Sequence, residues 1–217
     1  MFLGIENVLE DDLVFLKARA KNSRTSAAGR TNTSLAAVEV LQRHGMLVVG
    51  GLIVGNPGDR RESVAANLEF ARQHIDWPYI QHPTPYPGTP MTRDFVQRGL
   101  VVNTHPDEYD GTTAVTRGEH LEPEEVEFMR WQAERWMKVR HIPAVFRHDP
   151  WFVLRNAPRM LAHTYRGTTW RSVVGLESER EVFQRYRAIR QRERQYVDWP
   201  DPLDSTLAPA ATVATAV

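Results

Sequence analysis

Residue types that could take part in chemistry stand where three apolar segments end. Glu6 directly follows the run FLGI, the glycine-rich stretch GGLIVGNPGD occupies residues 50–59, and the proline-rich HPTPYPGTP occupies residues 82–90. A glycine inside a strand often marks close approach by a ligand or another backbone, and proline-rich backbone is stiff and lacks donors. On these properties alone, residues 50–59 favour an ordinary strand–turn–helix over a ligand-facing loop. Residues 82–90 predict either a rigid strand exit or a preformed wall beside a ligand.

The residue types exclude several kinds of site. The chain has eight histidines and no cysteine, so it cannot supply a disulfide, a thiolate nucleophile, a cysteine zinc site or the cysteine ligands of an iron–sulfur cluster. It contains no H-E-x-x-H, no G-x-S-x-G and neither glycine motif that binds nucleotide phosphates. We therefore predict no metal site in this chain. His82 ends an apolar run and could donate a proton or contact a ligand, but a hydrogen-bonded structural histidine is the favoured interpretation.

The composition is that of an ordinary globular protein. The 217 residues are 41% hydrophobic and 25% charged, with zero net charge, so we expect no nucleic-acid partner. This length suits one sizeable domain, or one domain with a helical appendage. No apolar run reaches the roughly 18 residues of a membrane span, and no basic region precedes the first apolar residues as in a signal peptide. These features predict a cytoplasmic location.

The candidate residues must be positioned by strands that alternate with helices. Apolar runs closed by turn-forming residues predict three strands of a parallel sheet covered on both faces: Met1–Ile5, Met46–Val54 and Tyr79–His82. Apolar residues recur between them at helical spacing. Residues 1–98 therefore predict an α/β unit of three successive βα repeats with right-handed crossovers.

The pattern changes after this unit. Residues 99–121 have no sustained period and predict a connecting loop, residues 122–197 predict a helical C-terminal subdomain, and residues 198–217 predict a disordered tail. Three helices are expected in the subdomain: one from Glu122, one over Trp151–Tyr165 with a bend or interruption near Pro158, and one over Ser178–Tyr196.

Three motifs together resemble a known family. FLGIE, GGLIVGNPGD and PTPYPGTP, in this order and spacing, resemble the fourth, fifth and sixth strands of a radical S-adenosylmethionine (radical SAM) enzyme. The nearest resemblance is to the cobalamin-binding group, which includes the anaerobic magnesium-protoporphyrin monomethyl ester cyclase and the hopanoid methylases. The segments TRGEH and HDPWF…HTYRGTTWR are similar to the helical C-terminal region of cyclase-like members, so the resemblance covers roughly residues 1–175.

The resemblance implies the C-terminal half of a partial (β/α)6 barrel followed by a helical subdomain. The family's Cys-x3-Cys-x2-Cys motif would precede this chain, in a missing N-terminal half-barrel encoded by the same gene or as a separate chain. The implied cofactors are S-adenosylmethionine (SAM) and a [4Fe–4S] cluster whose ligands lie outside this chain, with cobalamin left open. The implied activity is reductive SAM cleavage, leading to radical modification or cobalamin-dependent methylation of a small-molecule substrate, and we expect this chain to be inactive alone.

Two other interpretations stay open. The chain could be a non-catalytic subunit that completes another protein's barrel by strand pairing, or it could be an unrelated helix-rich α/β binding domain.

The resemblance also assigns SAM-binding residues on the first strand and the helix after it. Glu6 matches the polar residue that contacts the ribose or the amino-acid part of SAM, and a carboxylate there can accept charge-assisted hydrogen bonds; a helix-start acid is the alternative. Lys17 and Arg19 flank the place of a basic residue that binds the SAM carboxylate, but Ala18 occupies that place. Solvated cations are therefore the favoured interpretation of both.

The second and third strands contribute the rest of the implied site. Gly51, Ile53 and Gly55 match the glycine motif that packs near the adenine, although Gly58 stands where the motif has a glutamate. Pro85 and Tyr86 match the exit of the sixth strand, which closes the pocket. The Tyr86 ring could stack on a base or a substrate, and buried packing is equally compatible.

The arginine-rich segment RYRAIRQRERQY, residues 185–196, carries an apolar stripe at helical spacing. A solvated amphipathic helix is the favoured interpretation. The alternatives are contact with anionic membrane headgroups, as a peripheral membrane protein makes, or docking onto the upstream half.

Overall fold

The fold is known from a computed structural model, in which residues 1–26 and 29–196 are described, with the backbone alone for residue 21 and residues 23–26 and 29–32. The predicted tail, residues 198–217, lies outside the described residues. In chain order the elements are β1 (Phe2–Glu6), α1 (Glu10–Phe15), α2 (Arg19–Asn22), β2 (Ser23–Ser26), β3 (Gly29–Asn32), α3 (Ser34–Arg43), β4 (Val49–Ile53), α4 (Arg61–His74), β5 (Trp77–Gln81), α5 (Pro90–Gln97), a 3-10 turn (Pro106–Glu108), α6 (Pro123–His148), α7 (Pro150–Thr164), α8 (Trp170–Val173) and α9 (Glu179–Glu193).

Three parallel strands form the main sheet, in the order β1-β4-β5. Gly4 pairs with Gly51, and Gly51 pairs with Tyr79 on the other side. The ladder between β1 and β4 contains an irregularity at Gly4–Glu6. The three predicted strands and their parallel direction are confirmed. The partial (β/α)6 barrel and the boundaries at residues 98 and 121 stay predictions.

Helices cover one face of this sheet. Ile5, Leu52 and Ile80 point from the three strands into a core completed by α3, α4 and α6, whose contributing side chains are Val38, Val64, Leu68, Ala71, Val126, Met129 and Met137. Alternate residues of a strand face opposite sides, so the residues between these core positions belong to the other face.

That other face is open in the described part of the chain. Phe2 is 60% exposed and Tyr79 is 44% exposed, and their rings meet edge to face at 6.2 Å. A Cβ added to Gly51 would come within 3.0 Å of the Phe2 ring, so glycine leaves this face flat. The expectation of a sheet covered on both faces is therefore wrong for the residues described.

Local structure differs from the sequence pattern at two places before β4. The helical spacing of Leu13, Leu16 and Ala20 predicts one helix. The helix is instead interrupted at Lys17, which has a positive φ of 55°, and two short helices, α1 and α2, form in its place. An antiparallel hairpin of β2 and β3 then follows. The polar sequences SRTS and GRTN carry no alternating apolar pattern, and strand prediction depends on that pattern.

The helical region packs partly on the main core and partly on itself. Trp131 of α6 forms a second cluster with Val182, Phe183 and Tyr186 of α9. The predicted helices are confirmed. Of the two alternatives near Pro158, the interruption is wrong, because α7 is continuous through Pro158, and the bend stays a prediction. Proline removes a single helical hydrogen bond, and the packing of α7 along α6 stabilises the helix despite that loss.

Four of the five arginines of α9 are paired with acids, and the fifth, Arg192, is exposed. Two of them pair with acids of α6: Arg180 with Glu125, and Arg187 with Glu124 and Glu127. Arg190 pairs with Asp110, which precedes α6, and Arg185 pairs with Glu177, which precedes α9. The basic face of α9 is thus used within the chain. Within the described residues, no helix is long and apolar enough to cross a membrane.

Candidate functional site

The carboxyl ends of the three parallel strands meet at one edge of the sheet. Glu6 ends β1 with a positive φ of 63°, Gly55 follows β4 with a positive φ of 90°, and His82 follows β5. In open parallel sheets, ligands bind in the crevice outside this edge. The strand exits therefore form the first candidate site.

A buried amide network joins the exits of β1 and β4. Asn7 donates from Nδ2 to the Ile53 carbonyl at 3.1 Å, and its Oδ1 accepts from the Leu9 amide at 2.9 Å. Asn67 of α4 donates to the same Oδ1 at 3.0 Å and accepts from the Val8 amide at 2.9 Å. Both asparagines are fully buried. The backbone after β1 is therefore held by side chains rather than by a strand partner.

A second network holds the turn after β4. The Asp59 carboxylate accepts hydrogen bonds from the amides of Gly55 and Asn56, each at 2.8 Å, and from the Ser63 hydroxyl. Asn56 donates from Nδ2 to Asp12 of α1 at 3.1 Å. Burial, and then the nearby Asp59 carboxylate, raise the pKa of Asp12 from 3.8 to about 6. Asp12 thus titrates close to neutral pH, in the range where a carboxyl group can both give and take a proton.

A cavity of about 490 Å³ opens beside these carboxyl groups. Asp12, Asn56 and Asp59 line it together with Phe15 of α1 and Arg98, which follows α5. The described residues contain no group of three or more histidine, cysteine, aspartate or glutamate side chains placed to hold a metal ion. The cavity is therefore an acidic crevice in which Asp12 can exchange a proton.

His82 is a neutral, buried residue at the exit of β5. Its side chain is 3% exposed, and its Nδ1 donates to the Val54 carbonyl at 3.0 Å. Burial and the positive charge of Arg130 lower its pKa to about 3, so it carries no charge at neutral pH. The hydrogen bond to the neighbouring strand exit fits the structural interpretation of His82, and a pKa of about 3 makes it a poor proton donor at neutral pH.

The structure brings three of the predicted SAM-binding residues onto adjacent strands. Glu6 ends β1, and Gly51 and Ile53 lie on β4, with Gly51 opposite Gly4. Gly55 lies past the end of β4, where Val126 of α6 covers it: an added Cβ would stand 2.8 Å from the Val126 side chain. Gly55 is thus packed beneath α6, whereas Gly51 lies on the open face, where the Phe2 ring is its nearest side chain.

The other predicted residues lie apart from this group. Lys17 is exposed at the end of α1, and Arg19 pairs with Glu10 at 2.5 Å. Pro85 is buried. Tyr86 is 52% exposed, and its hydroxyl donates to the Tyr109 carbonyl at 3.3 Å. The Tyr86 ring is therefore held at its hydroxyl end while part of it stays accessible.

Fold and site define an α/β protein whose parallel sheet carries polar groups at its carboxyl edge and has an open face beside them. No family model matches the sequence. Over 136 residues, which are 61% of this chain, the sequence is 27% identical to an uncharacterized methyltransferase of Pyrococcus horikoshii. The aligned part covers 29% of that protein, so the chain spans less than a third of the relative's length. The chain is similar to a methyltransferase.

Proposed function

We propose that this chain is the SAM-binding C-terminal half of a radical SAM enzyme, in which SAM lies on the open face of the sheet and reaches its carboxyl edge. The observation that carries the proposal is the pair Gly4–Gly51 on that face, next to Glu6 at the strand exit. The two glycines bring no side chain to this face, and the Phe2 ring that packs against Gly51 is 60% exposed, so a flat adenine can stack on that ring or take its place over the strands. The similarity to a methyltransferase also supports the proposal, because methyltransferases as a class commonly use SAM.

In this proposal, the chain's own residues bind and orient SAM. The Glu6 carboxylate accepts hydrogen bonds from the ribose hydroxyls or the ammonium group, which are charge-assisted. The asparagine networks fix the strand exits before any ligand arrives, so little ordering is needed on binding. Tyr79, the β5 partner of Gly51, and Ile53, two residues further along β4, offer apolar surface next to the glycine pair.

The described residues do not fit a [4Fe–4S] cluster. The chain has no cysteine, and its described part has no cluster of metal-ligating side chains. The proposal therefore places the cluster ligands in an N-terminal half-barrel and any cobalamin in a separate domain. That half-barrel would pair with the outer edge of β1, which has no strand partner among the described residues.

The test is an NMR titration of the whole chain with SAM. Amide shifts are expected first at Gly4 and Gly51, and Glu6→Gln should weaken binding about tenfold, which corresponds to about 1.4 kcal/mol for a lost charge-assisted bond. The control is Glu62→Gln, which removes an exposed carboxylate in the first turn of α4 and should bind as the parent does. No shift at millimolar SAM, or shifts confined to residues far from the glycine pair, would refute the proposal.

The open face and free edge also favour a second candidate, a subunit that completes another chain's barrel. Phe2 and Tyr79 are exposed on that face, and uncovered strand edges invite pairing. Co-expression with a cysteine-bearing half-barrel, followed by size-exclusion chromatography, separates the candidates. A stable complex in which SAM binding does not depend on Glu6 would favour the non-catalytic subunit.

A further inference from the structure

A second cavity, of about 470 Å³, lies beside the outer edge of β5, between α6, α7 and α9. One acidic side chain, that of Glu134, lines this cavity. Five cationic side chains also line it, those of Arg130, Lys138, Arg159, Arg166 and Arg190. We call it the cationic cleft. Such an excess of one charge is unexpected in a chain whose net charge is zero.

Nearby acids neutralise only two of the five cations. Arg166 pairs with Glu193 at 2.5 Å, and Arg190 pairs with Asp110 at 2.8 Å. Arg130, Lys138 and Arg159 then face Glu134 alone, which leaves a surplus of two positive charges. In the described part of the chain, no carboxylate lies within ion-pair distance of Arg159 or Lys138.

Arg130 is the buried base of the cleft. It is 4% exposed and donates from Nη1 to the Ile80 carbonyl at 3.1 Å, while its nearest carboxylate oxygen, on Glu134, lies 3.8 Å away. Its Nε is buried and has no hydrogen-bond partner among the described residues. A buried guanidinium with an unused N–H group is costly unless an anion meets it.

Lys138 adds a second desolvated cation. Its Nζ lies 4.4 Å from the centre of the Trp77 ring, and burial lowers its pKa. A cation in this setting gains from any anion that enters the cleft, because the lost hydration is partly replaced. Arg159 of α7 also lines the cleft, and its side chain is exposed.

We propose that the cationic cleft binds a small organic dianion, a phosphate monoester or a dicarboxylate, attached to an apolar or aromatic body. The surplus of two charges matches a dianion, and arginine binds phosphate and carboxylate groups through paired N–H donors. The cleft is far larger than an inorganic ion needs, and Tyr79, Met160 and Tyr186 offer apolar surface for the remainder. This inference does not rest on the proposed SAM site, although Tyr79 borders both, because the charges that line the cleft match a dianion and SAM is not a dianion.

Isothermal titration of the whole chain with phenyl phosphate tests the proposal. Saturable binding is expected, and Arg159→Ala and Lys138→Met should each weaken it about tenfold or more. Both residues stand at the cleft wall, so these variants should fold, whereas Arg130 variants could fail to fold. Arg155→Ala is the matched control, because Arg155 lies one turn earlier on α7 and does not line the cleft.

The expected pattern is binding of phenyl phosphate that is weakened about tenfold or more in the two cleft variants, with parent-like affinity in the control. Three results would overturn the proposal. The first is that phenyl phosphate shows no saturable binding, and the second is that Arg155→Ala weakens its binding as much as Arg159→Ala does. The third is that the chain binds phosphatidylglycerol vesicles but not soluble phenyl phosphate. The last result would indicate a membrane surface rather than a small-molecule site.

Discussion

Asp12 provides a direct test of the buried carboxyl pair at the carboxyl edge. It is 9% exposed and accepts a hydrogen bond from Asn56 at 3.1 Å. Burial and Asp59 raise its pKa from 3.8 to about 6. The folded state therefore binds the Asp12 proton more tightly than the unfolded state does, so folding stability is lost as pH rises from about 4 to about 6.

The replacement Asp12→Asn should remove this cost. An asparagine amide can accept from Asn56 and donate to Asp59, as the protonated acid does. At 1.36 kcal/mol per pH unit, the raised pKa corresponds to about 3 kcal/mol at pH 7. The variant should thus be more stable than the parent by up to about 3 kcal/mol at pH 7, and equally stable near pH 4.

Urea unfolding of both proteins across pH 4 to 7 measures this difference, and comparison of variant with parent cancels the titration of other groups. Asp11→Asn is the matched control: Asp11 is exposed and shares the first turn of α1, so it reports any loss of helix-dipole stabilisation. Its effect should stay within about 0.5 kcal/mol at all pH values. A parent that is more stable than Asp12→Asn at pH 7, or a difference that does not change with pH, would show that the Asp12 pKa is not raised in the folded state.

Two further predictions concern the exits of β4 and β5. Gly55→Ala should lower the free energy of unfolding by about 2 kcal/mol or more, because the φ of residue 55 is 90° and the new Cβ would stand 2.8 Å from Val126. The control Gly58→Ala has open space around it and should cost less than about 1 kcal/mol. Similar losses for the two variants in chemical denaturation would contradict this prediction. His82, with a pKa lowered to about 3, stabilises the fold above pH 6.5 and loses this contribution as pH falls toward 3. The glutamine amide of His82→Gln can still donate to the Val54 carbonyl. The free energy of unfolding should therefore fall less between pH 6 and pH 4 in this variant than in the parent. An equal fall in both proteins would show that His82 is not buried in its neutral form.

The sheet could be predicted from sequence because its signals are local. MLVVGGLIV and FLGI are continuous apolar runs that end in turns, and such runs are typical of buried parallel strands. The β2–β3 hairpin was not predictable in this way, since SRTS and GRTN are polar throughout. The continuity of α7 through Pro158 depends on packing against α6, which local propensity does not include.

The candidate site could be predicted only in part, because its polar contacts join residues far apart in sequence. Asn7 meets Asn67 across 60 positions, and Asn56 meets Asp12 across 44. A signal was present, because an amide or an acid stands just after two strands, in Glu6-Asn7 and in Asn56-Pro-Gly-Asp59. The family resemblance indicates Glu6 and the glycines, but it does not predict the buried amides of Asn7, Asn56 and Asn67 beside them.

Rigid strand exits and an open sheet face together define how this chain can act. The exits of β1 and β4 are tied by buried side chains: Asn7 donates to the Ile53 carbonyl, and Asn67 ties the segment after β1 to α4. The adjoining face keeps Phe2 and Tyr79 exposed, although exposing such rings to water is unfavourable. A surface that is ordered at its rim and apolar at its centre is suited to receive a second layer, whether a ligand, a half-barrel or both. The strand exits are already ordered within the chain, so little conformational entropy is lost there on binding. Most of the free energy gained by burying apolar surface under the second layer would then contribute to affinity.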